Sequence, residues 1–409
     1  MRYAGEKERK EEFMKHLLYG DGIHDDYPAI QEMIDSGVCE VILPVPQKHY
    51  LISKTLVLPS NFKLVLPRFA EIKLADGANC LMVQNKMTPD YAERLPKGLS
   101  RRARSAWYYV NEYSPEALTQ NIEIQGGIWN FNNMNQRENP DQSKIPEPYG
   151  YTGEGMIFYG VKNLKISSMT LKDPVHFGVL LDRVSYFTVE DITFDYNNGN
   201  PLKINMDGIH LNGHCHHGMI RNLKGACYDD LVALNANEGS CGPITNIEID
   251  GLFAEVCHSA VRLLTVSEII ENVHISNVYG TYYQYCIGFT KFYSGTTTGI
   301  FKNVSVNHVY ASKASREGIY PWPDSYVFPF IYFQEDIKAK NIRITDVYRS
   351  EHEVPVETIY IGEEAEVENL IIDHIVTENY TGKKMPLLVN HSTASDITLK
   401  NVRQKKKRK

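Results

Sequence analysis

Apolar and polar residues alternate along most of the chain in short stretches that begin with asparagine. The pattern of Asn, apolar, any, apolar, any, any, apolar starts at positions 121, 163, 246, 272, 303, 341 and 369, with degenerate copies at 186, 217 and 396. An alternation of period two is typical of strands that bury one face. From residue 163 onward the copies recur every 23 to 38 residues, which indicates one such strand in each coil of a solenoid.

A single coil cannot bury its inward Ile, Val and Leu side chains, whereas coils stacked about 4.8 Å apart close a continuous apolar core. The repeats therefore predict an all-β fold, a single-stranded parallel β-helix. Asparagine tolerates left-handed backbone and bonds to neighbouring amides. We expect the repeated Asn to occupy a turn and to form a hydrogen-bonded ladder from coil to coil. Propellers have longer repeats and leucine-rich repeats add helices, so neither fits.

The N-terminal part predicts a cap for this solenoid. Residues 20–40 contain Asp25 and Asp26 followed by Pro28 and an amphipathic pattern, which predicts a short helix over the open end of the first coil. Strands are then predicted at Glu40–Pro44, Tyr50–Leu58, Phe62–Leu66 and Ala70–Leu74.

Two stretches break the rhythm, at 84–118 and at 130–155, and both are predicted to be loops inserted on one side of the helix. Residues 403–409 form a basic tail that we expect to be solvated. The whole chain, residues 1–409, is predicted to be one β-helix domain.

Bulk properties narrow the functional classes. The net charge of -7 argues against nucleic acid as the main partner. No apolar run is long enough for a membrane span, and the start lacks an apolar leader, so we expect a cytoplasmic protein, or a secreted one if a leader has been removed. Seven scattered cysteines without a CxxC pair suit a reducing compartment. Monomer and homo-oligomer are equally open.

Three motifs in consecutive coils carry a family resemblance. Asn205-Met-Asp-Gly-Ile is similar to Asn-Thr-Asp-Gly of polygalacturonases, and Tyr228-Asp-Asp-Leu-Val-Ala-Leu resembles their Gly-Asp-Asp-Cys-Ile-Ala-Ile. Cys257-His-Ser stands where Gly-His-Gly is expected. The opening at residues 20–31 also resembles pectate-lyase-like proteins. The resemblance, to polygalacturonase-like (family 28-like) glycoside hydrolases of the pectate-lyase-like superfamily, covers about residues 20 to 400 and implies a right-handed helix.

The resemblance implies a hydrolase that inverts the configuration at the anomeric carbon, with Asp229 as the acid and Asp207 and Asp230 holding the attacking water. The spacing supports a site independently. Asp207 and Asp230 are 23 residues apart, one coil, and each precedes a strand, so they stack on neighbouring coils. Carboxylates so close repel each other, which raises one pKa and keeps an acid protonated near neutral pH. Aspartates that merely form turns are the alternative.

Further candidates surround the aspartates as substrate-binding residues. His258 falls one coil beyond Asp229, and Arg262 and His210 lie on the outward face of their strands; Arg262 and Lys291 could equally form surface ion pairs. Asn205 belongs to the first motif.

The partner implied by the resemblance is a carbohydrate. The family's Arg-Ile-Lys is not intact here, and Lys291 is all that remains. In polygalacturonases such cations hold the sugar carboxylate. Their loss leaves hydrolysis in place and turns the expected substrate from galacturonate towards neutral sugars. The inserts favour exo action.

Two other functions stay open at this stage. A polysaccharide lyase on this fold needs a uronate, a cation and a basic residue. A glycan-binding or phage-tail-like β-helix needs no catalysis. The run His214-Cys-His-His217 is too tightly packed for its ligands to converge on zinc, so we expect no metal and no cofactor.

Overall fold

The computed structural model describes most of the chain, and the two inserts and the basic tail lie partly outside the described residues. The described residues are 16–86, 88, 119–139, 151, 153–197, 199–292, 297–319, 327–392 and 394–406. No helix among them is both long and apolar enough to cross a lipid bilayer. The seven cysteines all fall in this part and form no disulfide.

The described residues contain 25 strands, a nine-residue helix α1 at Tyr27–Asp35 and a 3-10 turn at Asn133–Asn135. The strands are β1 Glu40–Ile42, β2 Tyr50–Ile52, β3 Leu56–Leu58, β4 Phe62–Val65, β5 Glu71–Leu74, β6 Val83–Asn85, β7 Thr119–Gln125, β8 Ile128–Asn130, β9 Met156–Tyr159, β10 Val161–Lys172, β11 Val179–Asp182, β12 Ser185–Asp195, β13 Ile209–Asn212, β14 His216–Lys224, β15 Asp230–Asn235, β16 Ile244–Leu264, β17 Ile269–Thr290, β18 Ile300–Lys313, β19 Ile331–Phe333, β20 Lys338–Glu351, β21 Ile359–Ile361, β22 Glu366–Asn379, β23 Leu388–Asn390, β24 Ala394–Lys400 and β25 Arg403–Lys406.

Every ladder between these strands is parallel, and the ladders form three faces of a right-handed β-helix, as predicted. The first face runs from β1 through β4, β7 and β10 and onward through the first parts of the long strands to β24. The second face begins with β2, β5 and β8 and ends at β25. The third face contains β3, β6, β9, β11, β13, β15, the ends of β16 and β17, then β19, β21 and β23.

The core is a set of apolar columns with one residue per coil. One column on the first face is fully buried and, over nine consecutive coils, wholly β-branched, which suits close packing on a pleated surface. Its members in stacking order are Ile124, Ile166, Val189, Ile220, Ile249, Ile275, Val306, Ile344 and Ile372. Burial contributes about 1.5–3 kcal/mol for each such side chain, so the columns hold the coils in register.

The predicted asparagine ladder is confirmed. Asn121, Asn163, Asn272, Asn303, Asn341 and Asn369 each donate a side-chain hydrogen bond of 2.7–3.0 Å to the Asn of the preceding coil, and all adopt left-handed backbone. In two coils the same position is held by Tyr186 and His217, with φ of 54° and 55°. Their rings stack instead, with centroids 5.0 Å apart.

Helix α1 lies within the predicted range 20–40 and covers the first coil. It buries Ala29, Ile30 and Ile34, and the Gln31 side chain bonds to both the N–H and the C=O of Val57 on strand β3, a pairing that protects the edge. Asp26 precedes the helix but does not cap it through its side chain. Its carboxylate accepts hydrogen bonds from the backbone N–H groups of Tyr19, Gly20 and Leu51 instead.

Candidate active site

The three aspartates lie where the chain enters the third face. Asp207 is two residues before β13, and Asp230 begins β15. Because Ile209 pairs with Val232 and Asp230 pairs with Ser259, the aspartates and His258 fall on consecutive coils in the register that the sequence predicts.

Asp207 is nearly inaccessible, with 2% of its surface exposed. Its Oδ2 lies 2.5 Å from Nδ1 of His210, and its Oδ1 accepts a hydrogen bond of 3.2 Å from the backbone N–H of Asp230. The other ring nitrogen of His210, Nε2, lies 3.0 Å from Oε2 of Glu238. The histidine therefore bridges two carboxylates.

The charge on this bridge follows from its partners. Burial alone would lower the pKa of His210, but hydrogen bonds and charges from Asp207 and Glu238 outweigh it and raise the pKa to about 10. His210 is thus a buried imidazolium at neutral pH. Burial raises the pKa of Asp207, and the contact with His210 offsets only part of that effect. The bridge holds the Asp207 carboxyl group in one orientation.

Asp230 is fully buried and held by a different set of donors. Oδ2 accepts a hydrogen bond of 3.3 Å from Nη1 of Arg262, and Oδ1 accepts one from the Ser259 hydroxyl. Burial opposes ionisation, yet Arg262, His258 and Ser259 outweigh it and lower the pKa of Asp230 below its usual range. Asp230 is therefore a carboxylate at neutral pH.

Asp229 differs from both neighbours because its side chain is 19% exposed, and its Oδ1 lies 3.4 Å from Nδ1 of His258. Burial, followed by the charges of Asp207 and Asp230, raises the pKa of Asp229 well above its usual range. One accessible protonated acid beside one ionised carboxylate is the division that acid–base catalysis requires.

The same cluster contains the one candidate metal site found among the described residues. Ligand atoms of Asp229, Asp230 and His258 lie within 4.8 Å of one another. Ser259 and Arg262 already donate to both oxygens of Asp230. A cation bound there would compete with the Arg262 charge, so the donor set suits an ion pair better than a metal ion.

The other residues predicted to bind substrate have mixed positions. Arg262 contacts Asp230, and His258 contacts Asp229, so both belong to the cluster. His210 lies against Asp207 and not on an open face of its strand. Lys291 is buried, with its Nζ 2.5 Å from Oδ2 of Asp336. Asn205 lies in the turn before Asp207 with left-handed backbone.

Some residues of the site were not predicted from the sequence. Glu238 lies in the turn after β15, outside every motif, and no periodic signal marks it. His176 and Glu154 occupy the two coils before Asp207, with 3.2 Å between Nδ1 and Oε1. Glu154 was detectable, because extending the stacking register of the aspartates backwards leads to Phe177 on one coil and to Glu154 on the next. His176 is the neighbour of Phe177 in the sequence.

Comparison with known proteins agrees with the geometry at the level of fold. No protein-family model and no curated protein matches the sequence. Solved structures do match. An exopolygalacturonase from Thermotoga maritima is 15% identical, with a TM-score of 0.53 over 97% of this chain and 96% of that chain. An endo-xylogalacturonan hydrolase from Aspergillus tubingensis is also 15% identical, with a TM-score of 0.53 over 93% of this chain and 99% of that one.

A third similar structure is a double mutant of the tailspike protein of E. coli bacteriophage HK620. It is 12% identical, with a TM-score of 0.57, and the match covers 95% of this chain and 63% of the tailspike. At these identities the similarity establishes the fold. The parallel β-helix predicted from the repeats is confirmed, with the right hand that the family resemblance implied.

Proposed function

We propose that this protein is a glycoside hydrolase that cleaves a poly- or oligosaccharide with Asp229 as the proton donor. One arrangement carries the proposal. Asp229 and Asp230 are adjacent, but the Asp229 side chain is 19% exposed, whereas that of Asp230 is buried against Arg262, and the pKa is raised for Asp229 and lowered for Asp230. Glycoside hydrolysis needs this pairing, an acid for the departing oxygen and a carboxylate for the attacking water.

The proposed reaction transfers a proton from Asp229 to the glycosidic oxygen while a water attacks the anomeric carbon. Asp230, assisted by Asp207, accepts the proton that the water loses. We propose inversion of configuration. A retaining enzyme would need one carboxylate to bond directly to the sugar, whereas Asp207 and Asp230 are at most 2% exposed and each oxygen contacts a protein donor.

We further propose a neutral sugar as substrate. Two cations that contact the aspartates already have carboxylate partners, Arg262 with Asp230 and His210 with Asp207 and Glu238. Lys291 is paired with Asp336. A galacturonate would need a cation for its own carboxylate.

The test is a screen of neutral and uronate glycans with detection of new reducing ends, on the wild type and on Asp229→Asn. We expect the substitution to lower the hydrolysis rate by about 10²–10⁴-fold, the contribution of general acid catalysis, without loss of fold. Asp195→Asn, an exposed carboxylate paired with Lys172, is the matched control and should keep full activity. Undiminished hydrolysis by Asp229→Asn would reject the proposal.

The pH profiles of the wild type and of Asp229→Asn give a second test. Asp229 must be protonated to act, so activity should fall as the pH rises through its raised pKa, and the alkaline limb should disappear in Asp229→Asn.

Product sizes separate exo from endo cleavage, because release of monosaccharide alone indicates a cleft closed at one end. An unsaturated product that absorbs in the ultraviolet would indicate a lyase.

A non-catalytic glycan-binding protein is the second candidate. The observation that favours it is the burial of Asp207 and Asp230, whose oxygens contact protein donors. Glycan binding with a measurable Kd and no turnover on any substrate of the screen would support this candidate over the hydrolase.

A further inference from the structure

A second carboxylate and histidine pair lies on the N-terminal side of the aspartates. The Glu154 side chain is 9% exposed, and its Oε1 lies 3.2 Å from Nδ1 of His176. The other oxygen, Oε2, is buried and has no hydrogen-bond partner among the described residues. A buried acceptor without a donor is destabilising, so a ligand that supplies a donor there gains affinity.

The pair belongs to the same edge as the aspartates. The backbone N–H of Gly178 donates to Asp207 C=O, and Gly155 N–H donates to Phe177 C=O, so Glu154, Phe177 and Asp207 occupy equivalent positions of consecutive coils. The Phe177 ring stacks on His176 with centroids 3.8 Å apart, and on His210 with centroids 4.1 Å apart.

The distance to the proton donor suits one bound oligosaccharide. Two coils separate the Glu154 coil from the Asp207 coil, about 9.5 Å along the helix axis, and Asp229 follows on the next coil. His176 is near enough to act on both aspartates, because after burial and their own neighbours its charge also lowers the pKa of Asp207 and of Asp229. A glycan lying along the third face over Asp229 therefore reaches Glu154.

We propose that Glu154, oriented by His176, accepts a hydrogen bond from a hydroxyl group of a neutral sugar and excludes a uronate from that position. This inference rests on the proposed function for the choice of glycan. The C6 hydroxyl of a neutral sugar supplies the donor that Oε2 requires, whereas the C6 carboxylate of a uronate has no donor at that position and carries the same charge as Glu154. Sites built around a hydrogen bond to a hydroxyl reject analogues that lack it far more strongly than sites that read shape alone.

The test uses two probes that differ only at C6, α-1,4-galactotriose and α-1,4-trigalacturonate, in calorimetric titrations of the Asp229→Asn protein, in which hydrolysis does not interfere. We expect it to bind the neutral trimer at least about 100-fold more tightly than the acidic one. Adding Glu154→Gln, which keeps the size but removes the charge, should reduce that ratio below about 10-fold. Glu154→Ala should weaken binding of the neutral trimer itself.

The matched control is Glu123→Gln on the first face, whose carboxylate lies 3.5 Å from Lys63 Nζ and away from the site. It should leave the ratio unchanged, and thermal melting should show that all variants fold. An unchanged ratio in Glu154→Gln, or no binding of galactotriose by the parent, would overturn the inference. Binding of galactotriose that depends on Glu154, in a protein whose wild type hydrolyses nothing, would support the inference and reject the hydrolase.

Discussion

Two columns of polar side chains run along this β-helix, and they differ in their hydrogen-bond partners. The asparagine column lies near the start of the first-face strands, where each amide donates to the coil before it and accepts from the coil after it. The acidic column precedes the third face, where Asp207 and Asp230 stack on neighbouring coils and accept from His210, Arg262 and Ser259.

The difference follows from the chemistry of the two groups. A carboxamide is both donor and acceptor, so identical residues satisfy one another in a stack of any length. An ionised carboxylate only accepts, so identical neighbours repel and each needs its own cation or donor. The coils that carry the aspartates are also the ones in which Tyr186 and His217 interrupt the asparagine column. The regular asparagine column thus belongs to the coils without aspartates, and it is interrupted in the coils that carry the candidate active site.

The largest expected change in the free energy of unfolding comes from removing a cation that contacts the acidic column. His210→Gln leaves Asp207 and Glu238 buried without the charge between them, which should lower the free energy of unfolding at pH 7 by about 3–5 kcal/mol. Urea denaturation measures this difference. His274→Gln, a half-buried histidine that contacts Ser305 on the first face, is the matched control and should cost much less.

The same pair of proteins gives a pH test with a defined sign. The pKa of His210 is raised from about 6.5 in the unfolded chain to about 10 in the folded one, so its stabilising effect is complete below about pH 6.5 and is lost as the pH rises through 10. The stability gap between wild type and His210→Gln should therefore shrink between pH 7 and pH 10. A gap that stays constant over this range would show that His210 is held neutral.

An intermediate effect is expected from breaking the asparagine column. Asn303 has left-handed backbone and bonds to Asn272 and Asn341, so Asn303→Ala loses both hydrogen bonds and gains backbone strain, about 2 kcal/mol in the free energy of unfolding. Asn303→Gly keeps the backbone permitted and should cost about 1 kcal/mol. Equal losses in the two variants would mean that the backbone conformation contributes nothing.

The smallest effect is expected from repairing the column. His217→Asn places an amide beside Asn246 in a turn that is already left-handed, at the expense of the ring stack with Tyr186. We expect a gain in the free energy of unfolding of about 0.5 kcal/mol or less, with unchanged glycan binding. A loss above about 1 kcal/mol in denaturation would show that the aromatic stack stabilises these two coils better than an amide does.

The repeating part of this protein follows from spacing. The first-face strand of each coil, the left-handed asparagine positions and the register of Asp207, Asp230 and His258 were all predictable, because in a β-helix each residue meets the one found a single coil later. A position in one coil therefore predicts its neighbour in the next without knowledge of the rest of the fold. The predicted strand Tyr50–Leu58 is two strands, β2 and β3.

The donors and cations that contact the acidic column depend on the tertiary structure. Glu238 reaches His210 from a turn, Arg262 turns towards Asp230, and Lys291 pairs with Asp336, which is 45 residues away. Turns vary in length and follow no period, so the paths that bring these charges together cannot be read from spacing. Burial and the charges of Arg262, His258 and the neighbouring aspartates set the opposite pKa shifts of Asp229 and Asp230. Repulsion between the carboxyl groups predicted one raised pKa, but the cations that lower the other could not be read from the motifs.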